Sequence, residues 1–315
     1  MFFSLITLLL CVGNAFSVSS SSLADFNNYV AKYNKAYDSS EYDLRFDIFR
    51  HNNHLINAHN AARKSWTLAI NEWTDRTWDE FISERRGRVP VFVRGNSTAQ
   101  YVGAVQDAVD WRGRGVVNPV KDQGSCGSCY AFSAISAVES AYAIKTGKLY
   151  NLSEQQIVDC SGKFGNGGCS GGLMRNVFNY GTKVALCPAH EYPYVGKAGK
   201  CAICAGVVQL KGFKAVQPKN ETALQYAAAL QPISVAVEAD QVGFQFYSAG
   251  VFDGACGTNL DHGVVIDGYG TDKGKAYWLV RNSWGNSWGE NGYIRLARGR
   301  NQCGIALQAT YPIVL

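Results

Sequence analysis

A chain of 315 residues with 47% hydrophobic and 17% charged residues can fold as one large or two medium globular domains. Its formal net charge of +5 is spread without a basic run, so nothing points to nucleic acid. Beyond the N-terminus no apolar run is long enough for a membrane helix.

The first residues, MFFSLITLLLCVGNAFSVSS, hold an apolar core of about ten residues followed by small ones. That is too short to span a bilayer and has the form of a secretory signal, although no Lys or Arg stands near Met1. We expect a signal over residues 1–17, and a product of the secretory pathway destined for a lysosome, an acidic vesicle or the extracellular space. Residues 22–86 carry helical signals, few glycines and no cysteine. The stretch GRVPVFVRGNSTAQYVGA, residues 87–104, reads as an extended, exposed linker. Of the ten cysteines, nine fall after Val105, with most of the glycines. The boundary near 104 divides a helical leader, residues 18–104, from a disulfide-bearing body, residues 105–315.

Within the body, Cys129 to Lys145 predicts a buried helix ending at Gly147. The stretch NLSEQQIVDC opens another, with Ser153 and Gln156 as its capping box. Further along come short strands, ISVAVEA, HGVVIDGYG, AYWLVRNSW and GYIRLAR, the last three divided by Gly-rich turns. A helix-rich half followed by a strand-rich half predicts an α+β protein of two lobes, with a site in the cleft between them.

The segment QGSCGSCYAFS places Cys126 and Cys129 three residues apart at the start of a helix. A zinc clip would join them to Cys201 and Cys204, too far along the chain for a zinc ribbon. A thioredoxin-like pair needs a βαβ context that is missing here. Both sulfurs in structural bridges would leave the odd thiol elsewhere. The remaining reading makes Cys129 a nucleophile, for which the odd cysteine count in an oxidising compartment leaves room. At pH 5 only about one ordinary thiol in three thousand is ionised. A helix N-terminus and a neighbouring imidazolium both favour the thiolate. His51, His54 and His59 lie in the leader, and His190 sits in a loop suited to a solvated role. His262 opens the apolar strand DHGVVIDGYG; a hydrogen-bonded core histidine is an equal alternative on pattern alone. Asn282, in VRNSWGNSWGENGY, is a candidate to orient that ring.

These three segments, in this order and spacing, resemble the papain family of cysteine proteases over nearly the whole chain after the signal. The leader matches as well: Glu41, Arg45, Phe49, Asn52, Ile56 and Asn60 reproduce the E-x3-R-x3-F-x2-N-x3-I-x3-N pattern of cathepsin L-like propeptides and share one stripe of a helix. AINEWTD, Ala69 to Asp75, resembles the second propeptide motif, with Ala69 for its Gly and Trp73 for its Phe. The resemblance implies a papain-like fold of helical left lobe and β-barrel-like right lobe. It further implies a zymogen whose leader fills the cleft in reverse, and maturation near Val105. Cys129 would be the nucleophile, His262 the general base and acid, and Asn282 its orienter. Trp284 would shield that hydrogen bond, and Gln123 would join the Cys129 N–H in the oxyanion hole. Losing one such donor costs roughly 2.7–4 kcal/mol of transition-state stabilisation. Tyr130 stands where most members carry Trp and reads as packing. Family pairing implies bridges Cys126–Cys169, Cys160–Cys201 and Cys256–Cys303. Cys187 and Cys204 are left over in one stretch, which we read as a fourth.

By the same resemblance GCSGGLM forms the substrate wall, Gly171 and Gly172 letting an extended peptide approach the backbone. Leu173, Met174, Ala236, Leu260 and Gly263 align with the pocket for the second residue before the scissile bond. Gln308 falls at the base of that pocket, and Asp261 beside His262. Such a funnel favours Leu, Val or Phe. No insertion of the kind that makes relatives exopeptidases is present. The family implies peptide and protein substrates, cystatin-like inhibitors, a monomeric enzyme, and neither metal nor cofactor. Two rivals share the sequence features: a catalytically silent family member, disfavoured by the intact Cys129, His262, Asn282 and Gln123 set, and a peptide ligase using the same acyl-enzyme. Acid charging of the leader histidines is a further expectation, as a means of loosening the leader. Asn96, Asn151 and Asn220 begin N-x-[ST] sequons.

Overall fold

The computed structural model describes residues 22–85 and 105–315. The expected signal with its cleavage site, the expected linker and Asn96 lie outside the described residues, and the expected maturation point near Val105 falls at their edge.

The leader opens with α1 (Leu23–Lys32), capped reciprocally by Ser22 and Asp25. In α2 (Tyr42–Ala61), the spacing of three and four turns Arg45, Phe49, Asn52 and Ile56 inward. Phe49 packs on Phe26 and Tyr29 in a small aromatic core belonging to the leader alone. Asn60 stays exposed but exchanges hydrogen bonds of 2.8 and 3.0 Å with the Leu68 backbone, which ends the short strand β1 (Trp66–Leu68). The buried Asp75 carboxylate accepts from Tyr29 (2.7 Å), Tyr37 (2.6 Å) and Lys35 (3.2 Å), tying α1 to the AINEWTD turn. Arg45 does the same from α2, reaching Glu41, Glu80 and the Asp75 carbonyl. Glu80 lies on α3 (Trp78–Arg85).

The body begins with β2 (Val109–Asp110) and α4 (Cys129–Thr146). Helix α4 is apolar on almost every side because it runs through the molecule, and Gly147 (φ 76°) stops it in the left-handed conformation. Helices α5 (Glu154–Cys160) and α6 (Met174–Gly181) pack around it. Ser153 accepts the Gln156 N–H at 3.0 Å, but the expected reciprocal half of that cap does not form. The Ser153 N–H goes to the Cys187 carbonyl (2.9 Å), and the Gln156 carboxamide to Cys187, Tyr180 and Ala185.

The second lobe contains β3 (Leu210–Ala215), α7 (Glu221–Leu230), β4 (Ile233–Val237), α8 (Val242–Gln245) and β5 (Tyr247–Phe252). It continues with β6 (His262–Asp272), β7 (Lys275–Arg281), β8 (Tyr293–Ala297) and β9 (Ala309–Val314). The sheet runs β1-β5-β8-β7-β6-β4-β9-β3, with β2 on β6 and every pairing antiparallel except β5 with β8. The strand-rich lobe is therefore an open sheet, not a closed barrel. One edge, β3, inserts Leu210 into the core of the helical lobe, and the other, β5, is covered by β1 of the leader. The lobes are stitched in the second turn of α4: Ser133 Oγ donates to the Val264 carbonyl (2.7 Å), and Ser234 Oγ to the Ser133 carbonyl (3.0 Å).

Candidate active site

Four bridges join Cys126–Cys169, Cys160–Cys201, Cys187–Cys204 and Cys256–Cys303. Among the described residues Cys129 alone keeps its thiol, and three of the four sulfurs a zinc clip would need are in bridges. Cys129 is the first residue of α4. Ser128 ahead of it does not cap the helix, because its hydroxyl bonds to Tyr194 (2.7 Å). The first-turn amides of α4 thus favour negative charge where the sulfur sits.

His262 begins β6 opposite Val237 of β4. A β-carbon on the next residue, Gly263, would lie 3.2 Å from the Cys129 carbonyl oxygen and 3.3 Å from Tyr130 Cα. Any side chain there would push the helix start back by a few tenths of an ångström, so glycine lets the strand that opens with His262 press closely on the residue bearing the thiol. Its Nε2 donates to Asn282 Oδ1 at 2.7 Å, and Trp284 stacks on the imidazole with centroids 4.8 Å apart. Both are buried.

Gln123 arrives from the other lobe along a short antiparallel contact between residues 121–123 and 283–285. Its amide is fixed at both ends, donating to the Cys126 carbonyl (3.0 Å) and accepting from Ser283 Oγ (2.6 Å). Ser283 also gives its N–H to Asn282 Oδ1 (2.8 Å) and accepts the Gln123 N–H (2.9 Å). Ser283 therefore joins Gln123 and Asn282 directly. It escaped the sequence reading, although it sits inside the very NSW motif that drew attention to its neighbours. Behind Gln123, Lys121 is held between Glu139 of α4 (2.9 Å) and Glu154 of α5 (2.6 Å). Burial alone would lower the lysine's pKa, but the two carboxylates outweigh it and raise it.

Gly171, at φ 105° and ψ 177°, has a conformation reserved for glycine. A β-carbon on Gly172 would collide with Asn166 Oδ1 and stand 2.9 Å from the Tyr130 ring. Asn166 also accepts the Leu173 N–H (2.9 Å), and Tyr130 donates its hydroxyl to the Gly168 carbonyl (3.1 Å). Tyr130 and Asn166, the latter missed by sequence, thus brace this wall. Leu173, Met174 and Ala236 share a buried cluster with Cys129, and Leu260 packs on its edge. Gln308 is half-buried, its carbonyl accepting the Ala236 N–H (3.0 Å). Asp261 accepts the Ala239 N–H on Oδ1 (2.8 Å). Gly172→Ala should cost roughly 1–3 kcal/mol through overpacking and raise KM more than it lowers kcat, as thermal melting and peptide kinetics would show.

The leader covers this site. Strand β1 pairs with β5, Asn71 donates to the Gln245 carbonyl (2.6 Å), and Ser287 donates to Glu72 (3.1 Å). Trp73 and Phe81 meet Trp284 edge-on, with centroids 6.2 and 5.2 Å away. Phe81 and Ile82 line one pocket with His262, Asp261 and Trp284. His51, His54 and His190 are exposed, whereas His59 bonds to the Trp66 carbonyl (3.1 Å) beside the β1–β5 seam.

Residues 105–313 match the model of the papain family of cysteine proteases, and residues 26–81 match the cathepsin propeptide inhibitor domain. The chain belongs to the papain family and carries that family's inhibitory leader. It is 48% identical to "Probable cysteine protease RD21B" of Arabidopsis thaliana over 87% of this chain and 62% of that protein. It is 46% identical to "Thiol protease SEN102" of Hemerocallis sp., over 88% and 82% respectively. Its fold superposes on the structure described as "Recombinant stem bromelain precursor" with a TM-score of 0.86 at 39% identity, covering 92% of this chain and 98% of that one.

Proposed function

We propose that the protein is a monomeric cysteine endopeptidase of the secretory pathway, made as a zymogen. Its preferred substrates carry a hydrophobic side chain two residues before the scissile bond. The carrying observation is one thiol, Cys129, at the start of α4, pressed by Gly263 and flanked by a His262–Asn282 pair at 2.7 Å. The Cys129 thiolate attacks the peptide carbonyl, and the oxyanion takes hydrogen bonds from the Cys129 N–H and the second amide hydrogen of Gln123. His262, as imidazolium, protonates the departing amine, leaving an acyl-enzyme. It then takes a proton from water, whose oxygen attacks the thioester carbonyl and releases the acid and the thiolate. Asn282 holds the ring in one tautomer, and Trp284 keeps water from that bond. Gly172 pairs with the substrate backbone, and Leu173, Met174, Ala236 and Leu260 form the apolar pocket, with Gln308 at its base. Cystatin-like proteins fit the same cleft as inhibitors.

The test is to acidify the purified zymogen with a reductant and assay Leu-Arg, Phe-Arg and Arg-Arg fluorogenic peptides, with an epoxide thiol inhibitor as control. We expect thiol-dependent cleavage and a clear preference for Leu over Arg at the second position. A profile with Arg best would overturn the preference, and no cleavage in any of the assays would overturn the activity.

Acid release of the leader converges on His59, because the other two leader imidazoles on α2 are exposed. Burial holds the His59 pKa below its ordinary 6.5, with Lys64 adding to the effect against the Trp66 hydrogen bond. The docked leader therefore prefers neutral His59. That stability is full above pH 6.5 and is lost as pH falls through the lowered pKa. His59→Gln, which keeps a donor for the Trp66 carbonyl, should slow acid activation. Replacing His51 and His54 as well should add nothing, as a time course of leader loss would report.

A further inference from the structure

Between β5 and His262 the chain crosses from Asp253 to Asp261 without regular structure. An irregular loop beside a cleft must find partners for its backbone amides, or it drifts. Here one carboxylate supplies them. Glu238, just past the end of β4 and buried, accepts the Gly257 N–H on Oε1 (2.7 Å) and the Asn259 N–H on Oε2 (2.6 Å). Gln241 Nε2 adds a third donor at 3.1 Å. The Glu238 backbone is itself pinned, its N–H donating to the Cys303 carbonyl (2.9 Å), and Cys303 is bridged to Cys256 in the same loop. The fit is close: a β-carbon on Gly257 would lie 2.7 Å from Glu238 Oε2, so either the carboxylate or the loop would have to shift.

Beyond Asn259 comes Leu260, packed on the cluster of Leu173, Met174 and Ala236. The next residues are held independently of Glu238. Asp261 N–H donates to the Val237 carbonyl (3.0 Å), Asp261 Oδ1 accepts the Ala239 N–H, and His262 sits in the β4–β6 ladder. The carboxylate thus governs the loop up to Leu260, while the imidazole is fixed by the sheet.

We propose that Glu238 is a positioning residue for substrate selection: by clamping the Gly257 and Asn259 amides it sets where Leu260 stands in the wall of the pocket for the second residue before the scissile bond. The inference rests on the endopeptidase reading above and names the group that tunes its specificity. A neutral carboxamide cannot replace the carboxylate, because Gln offers one acceptor and turns an NH2 toward the other backbone donor. Charge-assisted bonds of this kind are also the stronger ones.

The experiment compares the activated full-length enzyme with its Glu238→Gln variant on matched peptides bearing Leu or Arg at the second position, after active-site titration. We expect the Leu-to-Arg ratio of kcat/KM to fall roughly tenfold, the low end of what one misplaced apolar contact is worth. The loss should lie in KM for the Leu peptide, with kcat and its pH profile little changed. Gly257→Ala forces the carboxylate and the loop apart without removing the carboxylate and should lower the ratio too, which decides the matter should Glu238→Gln fail to fold. Gln241→Ala, which leaves both loop amides bonded, should keep the wild-type ratio. An active wild type with an unchanged ratio in Glu238→Gln, or in Gly257→Ala where only that variant folds, overturns the role of Glu238 alone. A wild type inert to both peptides overturns the endopeptidase reading and takes this inference with it.

Discussion

Cys129→Ser should abolish hydrolysis, lowering kcat by on the order of 10^5 to 10^6-fold, the scale on which removing a nucleophile disables a catalytic set. The hydroxyl has the geometry of the thiol but not its acidity, so the helix start and the imidazolium have no anion to stabilise. The variant zymogen should fold normally and remain uncleaved in acid by its own action, while added active enzyme still trims it. Retention of even a hundredth of the wild-type rate, with contamination excluded by the epoxide inhibitor, would remove Cys129 from the mechanism. Cys126→Ser makes the contrast: it breaks the bridge to Cys169 beside the substrate wall and should act through stability.

The second large effect is expected far from the chemistry. Asp75→Ala deletes a carboxylate whose side chain is 1% exposed, leaving two phenols and an ammonium without their shared acceptor. Stripping one member from a buried charged cluster costs roughly 3–5 kcal/mol, a large part of what a small domain has to hold itself together. Burial, the largest cause of the raised Tyr29 and Tyr37 pKa values, persists when Asp75 is gone, so neither phenol takes over the negative charge. The leader should then melt at a lower temperature than the body and release activity at neutral pH. A zymogen that stays silent at pH 7 and melts as the wild type does would show that the cluster does not secure the leader.

Element types were legible in the sequence wherever local pattern and tertiary role agree. The α2 stripe, the apolar run of α4 and the short apolar strands β6 to β8 between their Gly-rich turns all stand close to where the sequence pattern puts them. What such a pattern cannot convey is competition for partners. Ser153 carries the signature of a reciprocal cap, yet its amide is claimed by Cys187, a residue brought back by a loop. That the sheet stays open was equally out of reach, since it turns on its edges: β3 has β9 as its one strand neighbour and sends the Leu210 side chain into the helical lobe, while the far edge pairs with the leader. The candidate site divides along the same line. Cys129, His262, Asn282 and Gln123 stand in short motifs, whereas Ser283, Asn166 and Glu238 matter through hydrogen bonds that only the folded chain brings together, which no spacing encodes.

The seam between β1 and β5 bears on how the leader can go without taking the enzyme with it. Gly250 (φ 94°) is indented so that Trp66 can lie against it, a β-carbon there standing 2.7 Å from Trp66 Cα. The guest strand is three residues long and sits at the margin, while its host remains paired to β8 on the inner side. Withdrawal therefore peels off a hem and leaves the cloth whole: the departing piece keeps its own aromatic nucleus around Phe26 and Phe49, and the remainder keeps every internal seam.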